Sequence, residues 1–292
     1  MGRAFAAASP AARAVFAESA ATIDLDLERL CFEGPLEELT ATENQQPALV
    51  TTSLACLAAL EEQLDTALES AFVVGHSVGE YAALAASRAL SPGDAVALVR
   101  ERGLATAAAA HDRDGAMAAV LGLDDDVVEE LCADIEDLWP ANYNCPGQIV
   151  ISGATEAIGT FSALAEARGA RRIVVLRVTG AFHSPLVASA AERLRPAIAR
   201  LDWHEPCIPF MSTVTASIEP GDRLPGLLIE QLTAPVRFSQ AVTSLVAAGV
   251  DTFVEVGPGQ VLAGLIRRID RSVTAVSVGD PDSLAKLEEV LA

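Results

Sequence analysis

The hexapeptide Gly75-His76-Ser77-Val78-Gly79-Glu80 constrains this chain more than any other stretch. It follows the apolar run Ala71-Phe72-Val73-Val74 and leads into Tyr81-Ala82-Ala83-Leu84-Ala85-Ala86. That order reads as strand, tight turn and helix, with a serine at the bend. A bend this sharp is crowded, and glycines two before and two after the serine are expected to relieve it. The hydroxyl then projects into a cleft. Free N–H groups at the helix N-terminus behind it would face a developing oxyanion. The turn therefore points to nucleophilic acyl transfer.

The surrounding pattern is that of an α/β chain. Apolar spacing predicts helices over 10–20, 47–68, 78–90 and 93–110, the last opened by Ser91-Pro92-Gly93-Asp94. A short buried strand is expected over 71–75. From Gly115 the order becomes βαββαβ, ending with a strand from Arg172 to Val178. That order is self-contained and matches a ferredoxin-like unit, so 115–179 reads as a small inserted subdomain. A helix (185–201), a strand (207–214), helices around 225–249, a strand (252–256), a helix, a strand (273–278) and a last helix follow. Segments 1–114 and 180–292 would then form a larger subdomain, a mostly parallel sheet flanked by helices on both faces.

Composition removes several function classes. The 292-residue chain carries a net charge of −20, which opposes a nucleic-acid partner. Its five cysteines are odd in number and form no C-x-x-C pair, which fits a reduced, cytoplasmic compartment. Histidines and thiols show no metal-ligand spacing, so no metal is expected. The start lacks a basic region followed by an apolar segment, so no signal peptide is read. The apolar run 47–60 is too short for a bilayer, and no membrane partner is expected.

Ser77 needs a base, and the chain has four histidines. His76 adjoins Ser77, and turn geometry should point it elsewhere. His111 falls at an exposed helix end, and His204 lies beside Trp203 and Glu205 at the surface. His183, in Thr179-Gly180-Ala181-Phe182-His183-Ser184-Pro185, lies on a loop returning to the main sheet, a good place for a catalytic group. Paired with Ser77, it is the favoured base. Over 100 residues follow it, unlike the Ser–acid–His order of an esterase. A backbone carbonyl could orient its Nδ1–H in place of an acid. On the next helix, Arg100 suits a solvated face. A guanidinium near the serine would suit a substrate carrying a free carboxylate. Cys145 has no positioned base and reads as a packed small side chain.

These motifs together resemble the malonyl-CoA:acyl-carrier-protein transacylases, the acyltransferases of fatty acid and polyketide synthesis. The resemblance spans essentially the whole chain. It rests on Thr42-Glu43-Asn44-Gln45-Gln46-Pro47-Ala48-Leu49, the Gly75–Glu80 turn, Arg100-Glu101-Arg102-Gly103 and Asn142-Tyr143-Asn144-Cys145-Pro146-Gly147-Gln148. Gly180-Ala181-Phe182-His183-Ser184, Gln231-Leu232-Thr233-Ala234-Pro235-Val236 and Val254-Glu255-Val256-Gly257-Pro258-Gly259 complete it.

The resemblance implies a hydrolase-like large subdomain and a role for each matching residue. Ser77 would take the malonyl group from CoA, and His183 would remove and return the proton. Gln231 would orient His183 through its main-chain carbonyl. The Val78 N–H would be one oxyanion donor, Arg102 would pair with the malonyl carboxylate, and Gln46 and Asn144 would line the site. The CoA thioester is substrate rather than cofactor, acyl carrier protein is the acceptor, and the family expectation is a monomer.

One departure is expected to matter. Family members begin with a strand ending in a Phe-Pro-Gly-Gln-Gly-x-Gln loop that supplies a second oxyanion N–H, and this sequence shows no such segment, as if its start were placed at an internal Met. The alternatives are a serine thioesterase or hydrolase on the same scaffold, or an acylation-defective paralogue that binds carrier protein. Arg171, Arg172, Arg177, Arg237, Arg267 and Arg268 are candidate carrier contacts against the acidic background.

Overall fold

The computed structural model describes residues 1–67, 69–284 and 287. Four helices open the chain: α1 (Arg3–Ala8), α2 (Pro10–Ile23), α3 (Leu27–Phe32) and α4 (Leu36–Thr40). The long helix α5 (Thr42–Leu64) begins five residues earlier than its apolar spacing suggested, because it runs straight through Pro47. Proline has no N–H for the carbonyl four residues back. Here that carbonyl, on Glu43, accepts instead from Arg100 Nη1 at 2.6 Å.

Strand β1 (Val73–Val74) is shorter than expected, since the serine-bearing turn starts at Gly75. It leads into α6 (Gly79–Ala86) and α7 (Pro92–Asp112). The Ser91 side chain accepts from the Asp94 N–H at 3.0 Å, so the start signal of α7 is a true N-cap. Helices α5 and α7 pack closely, and a Cβ on Gly103 would stand 2.9 Å from Glu43 Cα.

Next come β2 (Ala116–Leu121), α8 (Asp125–Ala133), β3 (Leu138–Cys145), β4 (Gln148–Gly153), α9 (Thr155–Ala167) and β5 (Arg172–Val175). Their four strands form one antiparallel sheet in the order β3-β4-β2-β5. Alternation puts Ala118, Val120, Ile149 and Ile151 on one face, against Val128 and Leu131 of α8 and Ile158 and Phe161 of α9. Strand β3 also bridges outward in parallel to Val236. The Tyr143 N–H donates to the Val236 carbonyl at 2.9 Å, and the Val236 N–H to the Ala141 carbonyl at 2.8 Å.

The chain continues through α10 (Ala188–Ile198), β6 (Phe210–Ser212), β7 (Ser217–Glu219), α11 (Leu224–Glu230), α12 (Phe238–Ala247), β8 (Thr252–Val256), α13 (Val261–Ile269) and β9 (Thr274–Val278). The helix expected after β9 lies mostly outside the described residues. The single mostly parallel sheet is an expectation that the structure corrects. β1 pairs parallel with β6, β6 pairs antiparallel with β7, and β8 pairs parallel with β9 as a separate two-stranded sheet. Among the described residues, β1 is paired along one edge only. The helices pack on these sheets through apolar clusters. The largest joins Tyr81 and Leu84 of α6, Val96 and Val99 of α7 and Leu194 of α10 around Phe210. No helix among the described residues is long and apolar enough to cross a membrane.

Candidate active site

The turn between β1 and α6 holds Ser77 at φ 52°, a left-handed conformation that a non-glycine residue adopts only under constraint. Gly75 makes this possible, since a Cβ there would come within 2.2 Å of the Glu80 nitrogen. Gly79 has no such duty. A Cβ at 79 would meet nothing within 4 Å, so only one of the two glycines relieves the bend.

The helix N-terminus is also less open than the sequence suggested. The Gly79, Glu80 and Tyr81 N–H groups donate back to the carbonyls of His76, Ser77 and Val78 at 2.9, 3.0 and 3.2 Å. Three-residue closure of the first turn consumes these donors. The Val78 N–H is not among the donors this closure consumes.

His183 sits on the loop after β5, also at positive φ (59°), and is buried. Its Nε2 lies 2.7 Å from Ser77 Oγ. Its Nδ1 faces two main-chain carbonyls, Gln231 at 2.9 Å and Ala234 at 3.2 Å. Carbonyls only accept, so Nδ1 carries the hydrogen and Nε2 presents its lone pair to the serine. Burial first, and the charge of Arg102 second, push the imidazole down to about 3, so at neutral pH it is an unprotonated base.

Arg102, on α7, is only 4 % exposed. Its Nη2 donates to Ser77 Oγ and to Gln231 Oε1, each at 3.2 Å, and its Nη1 donates to Gln46 Oε1 at 2.6 Å. Its Nε is buried without a partner. The Tyr81 ring lies below, with its centroid 5.8 Å from Cζ. Burial pushes the guanidinium down while Tyr81 and Glu80 push it up, and it stays charged. Gln46 is anchored in turn by donating to Thr106 Oγ1 at 3.0 Å.

Ser77, His183, Gln231, Arg102 and Gln46 thus form one connected network, with the Val78 N–H beside it. Asn144 joins from β3 through His76, whose Nε2 lies 2.8 Å from Asn144 Oδ1. His76 does point away from Ser77, as its place in the turn required, and towards Asn144. Burial pushes it down, keeping it neutral.

Arg100 corrects a further expectation. It is not a solvated side chain, because its Nη1 donates both to the Glu43 carbonyl and to Asn44 Oδ1, the latter at 3.0 Å. Cys145 is buried and burial pushes its thiol up, as befits a packed side chain. His111 ends α7 in solvent and His204 is exposed beside Asp202. Of the arginines proposed as a patch, Arg237 stacks over Tyr143, Arg267 donates to the Ala275 carbonyl and Arg268 to Gln148. Arg171, Arg172 and Arg177 are exposed.

Sequence reasoning missed Glu80. It is wholly buried beneath Ser77, with Oε1 accepting from the Thr213 N–H at 2.6 Å and the Thr213 hydroxyl at 2.7 Å. Its Oε2 accepts from Gln231 Nε2. Burial pushes this carboxyl up, against those hydrogen bonds and the charge of Arg102. A signal was present: position 80 lies on the first turn of a helix whose apolar residues face inward.

A base-paired serine and a buried guanidinium within reach of it suit transfer of an acyl group that carries a carboxylate. The acyl transferase domain family matches residues 1–283. The chain is 42 % identical over 290 residues to the malonyl CoA-acyl carrier protein transacylase of Bacillus subtilis, covering 97 % of this chain and 90 % of that protein. Among solved structures, the malonyl-CoA:acyl carrier protein transacylase of Xanthomonas oryzae superposes with TM-score 0.95 at 40 % identity, over 99 % of this chain and 93 % of that one. A malonyl-transacylase solved in complex with a type II PKS acyl-carrier protein superposes with TM-score 0.95 at 33 % identity, over 99 % and 94 %. The chain is an acyltransferase and belongs to the acyl transferase domain family, among its malonyl-CoA:acyl-carrier-protein transacylases.

Proposed function

We propose that this protein moves a malonyl group from CoA to the phosphopantetheine thiol of an acyl carrier protein, a step of fatty acid biosynthesis, through an acyl-enzyme on Ser77. Ser77 Oγ attacks the thioester carbon while His183 Nε2 takes its proton. The resulting oxyanion faces the Val78 N–H. The C–S bond breaks and the CoA sulfur leaves with the proton from His183. The carrier thiol then gives its proton to His183, attacks the acyl-serine and receives the malonyl group. Gln231 and Ala234 hold the imidazole in the tautomer both halves need. Arg102 exchanges its contact with Ser77 for the malonyl carboxylate, which frees the serine hydroxyl for its base. Gln46 holds Arg102, and Asn144 borders the acyl group.

In this reading 1–114 and 180–292 form a hydrolase-like subdomain and 115–179 a ferredoxin-like one. The family's first strand and second oxyanion donor belong beside β1, on the edge opposite β6. The protein works as a cytoplasmic monomer without a cofactor, and neither nucleic acid nor membrane takes part.

The observation that carries this reading is the buried Arg102 guanidinium 3.2 Å from Ser77 Oγ. A neutral acyl group gives no return for desolvating a cation there, and a carboxylate does. Malonyl-CoA should leave a malonyl adduct on Ser77, seen by intact mass, that chases onto holo carrier protein. Ser77→Ala should abolish it. Rapid hydrolysis without transfer would replace this reading by a thioesterase, and carrier binding without any adduct by a non-enzymatic carrier-binding protein.

A further inference from the structure

Glu80 takes no part in the steps above, yet it is a fully buried carboxylate one hydrogen bond from the residue that orients the base. Its two oxygens face different donors. On one side stand the N–H and hydroxyl of Thr213, on the other the amide nitrogen of Gln231. The Thr213 N–H cannot reverse its role. The Gln231 amide can, by turning over. Donors on both oxygens and the charge of Arg102 favour the ionised form against the burial that opposes it, and a carboxylate only accepts, so it holds the Gln231 nitrogen towards itself and towards the Ser77 carbonyl, 3.1 Å away. The Gln231 oxygen is thereby left facing Arg102 Nη2 at 3.2 Å, a group that only donates. Were the amide to turn over, two donors would meet at Arg102 and the Ser77 carbonyl would lose its partner.

We infer that Glu80 is a positioning residue: as a two-sided acceptor it fixes the sense of the Gln231 amide, and through Gln231 it sets both Arg102 and the carbonyl that orients His183. A second effect follows from charge. Glu80 and Arg102 lie on opposite sides of one amide, so the carboxylate partly offsets the guanidinium before substrate arrives. Glutamine at 80 keeps the shape but has a single acceptor oxygen. It cannot serve Thr213 and Gln231 together, and it removes the offsetting charge.

The inference rests on the proposed function only for the choice of acyl substrate, so the test has one arm that does not use it. Ser77 in the full chain is labelled with a fluorophosphonate, which reports the serine–histidine pair whatever the natural acyl group. It is then acylated with malonyl-CoA and with acetyl-CoA. Glu80→Gln is expected to slow fluorophosphonate labelling about tenfold or more, the scale of a misplaced reacting group. Both acylations should slow similarly, with the malonyl-CoA KM unchanged or lower, because Arg102 is less offset. Simple loss of packing would instead raise KM with the fall in rate. Labelling within twofold of the parent overturns the inference, as does a malonyl-CoA KM that rises while kcat holds. A parent labelled by the fluorophosphonate but not by malonyl-CoA overturns the proposed function and leaves Glu80 judged on the first arm. Should Glu80→Gln not fold, Thr213→Val removes one donor from the carboxylate, and labelling should slow two- to threefold. No change in that variant overturns the inference equally.

Discussion

Under the serine turn, buried positions hold Glu80, Arg102, His183 and Gln231, joined by hydrogen bonds. Under the four-stranded sheet they hold Val128, Leu131, Ile151, Ile158 and Phe161, joined by contact alone. The first region desolvates polar groups and, Arg102 Nε apart, recovers the cost through connected donors and acceptors. The second removes apolar area from water and needs only the right volume. A substitution in the first should therefore change chemistry more than stability, and one in the second the reverse.

The sharpest break of this comparison is His183→Ala. It removes the base, so acyl transfer should fall by about 10²–10⁴. The midpoint of thermal unfolding should move little, because alanine keeps the same strained backbone and the imidazole that is lost was itself a desolvated polar group; a fall of several degrees would count against the contrast. Next is Phe161→Ala beneath the sheet, which should cost about 3–5 kcal/mol in denaturant unfolding. The folded fraction should keep its turnover per molecule, measured by active-site labelling.

The smallest effect is in pH. His183 works unprotonated, so rate is present above its pKa and lost as pH falls through it. Burial and the Arg102 charge, with His76 adding a lesser push, hold that pKa near about 3. For acetyl-CoA acylation, kcat/KM should stay level to below pH 5, where an ordinary imidazole of pKa about 6.5 is mostly protonated. Arg102→Ala removes the second cause, and the acid limb should move up towards the ordinary range. An unmoved limb would show burial alone to be responsible.

The two regions also differed in how much the sequence disclosed. The βαββαβ order was legible because its strands alternate and Asn144-Cys145-Pro146-Gly147 marks the tight turn between them. The serine turn was legible from Gly75 and Ser77, whose conformations are forced by contacts within six residues. Ser77 and His183 could be paired by elimination among four histidines, and the resemblance supplied Gln231, Arg102, Gln46 and Asn144. What stayed hidden depends on contacts between distant segments. The split of the parallel strands into two sheets and the partners of Glu80, on Thr213 and Gln231, leave no local pattern. Arg100 was misread for the same reason, since its acceptor lies 57 residues away.

That acceptor exists because Pro47 cannot donate to it. An arginine on α7 does the work of an amide missing from α5, while two residues on, Arg102 reaches the same helix through Gln46. Positions 47 and 100 thus form one heritable unit. A lineage that replaces the proline restores the helix's own donor and leaves the arginine with Asn44 Oδ1 as its remaining partner, so the pull to keep it weakens.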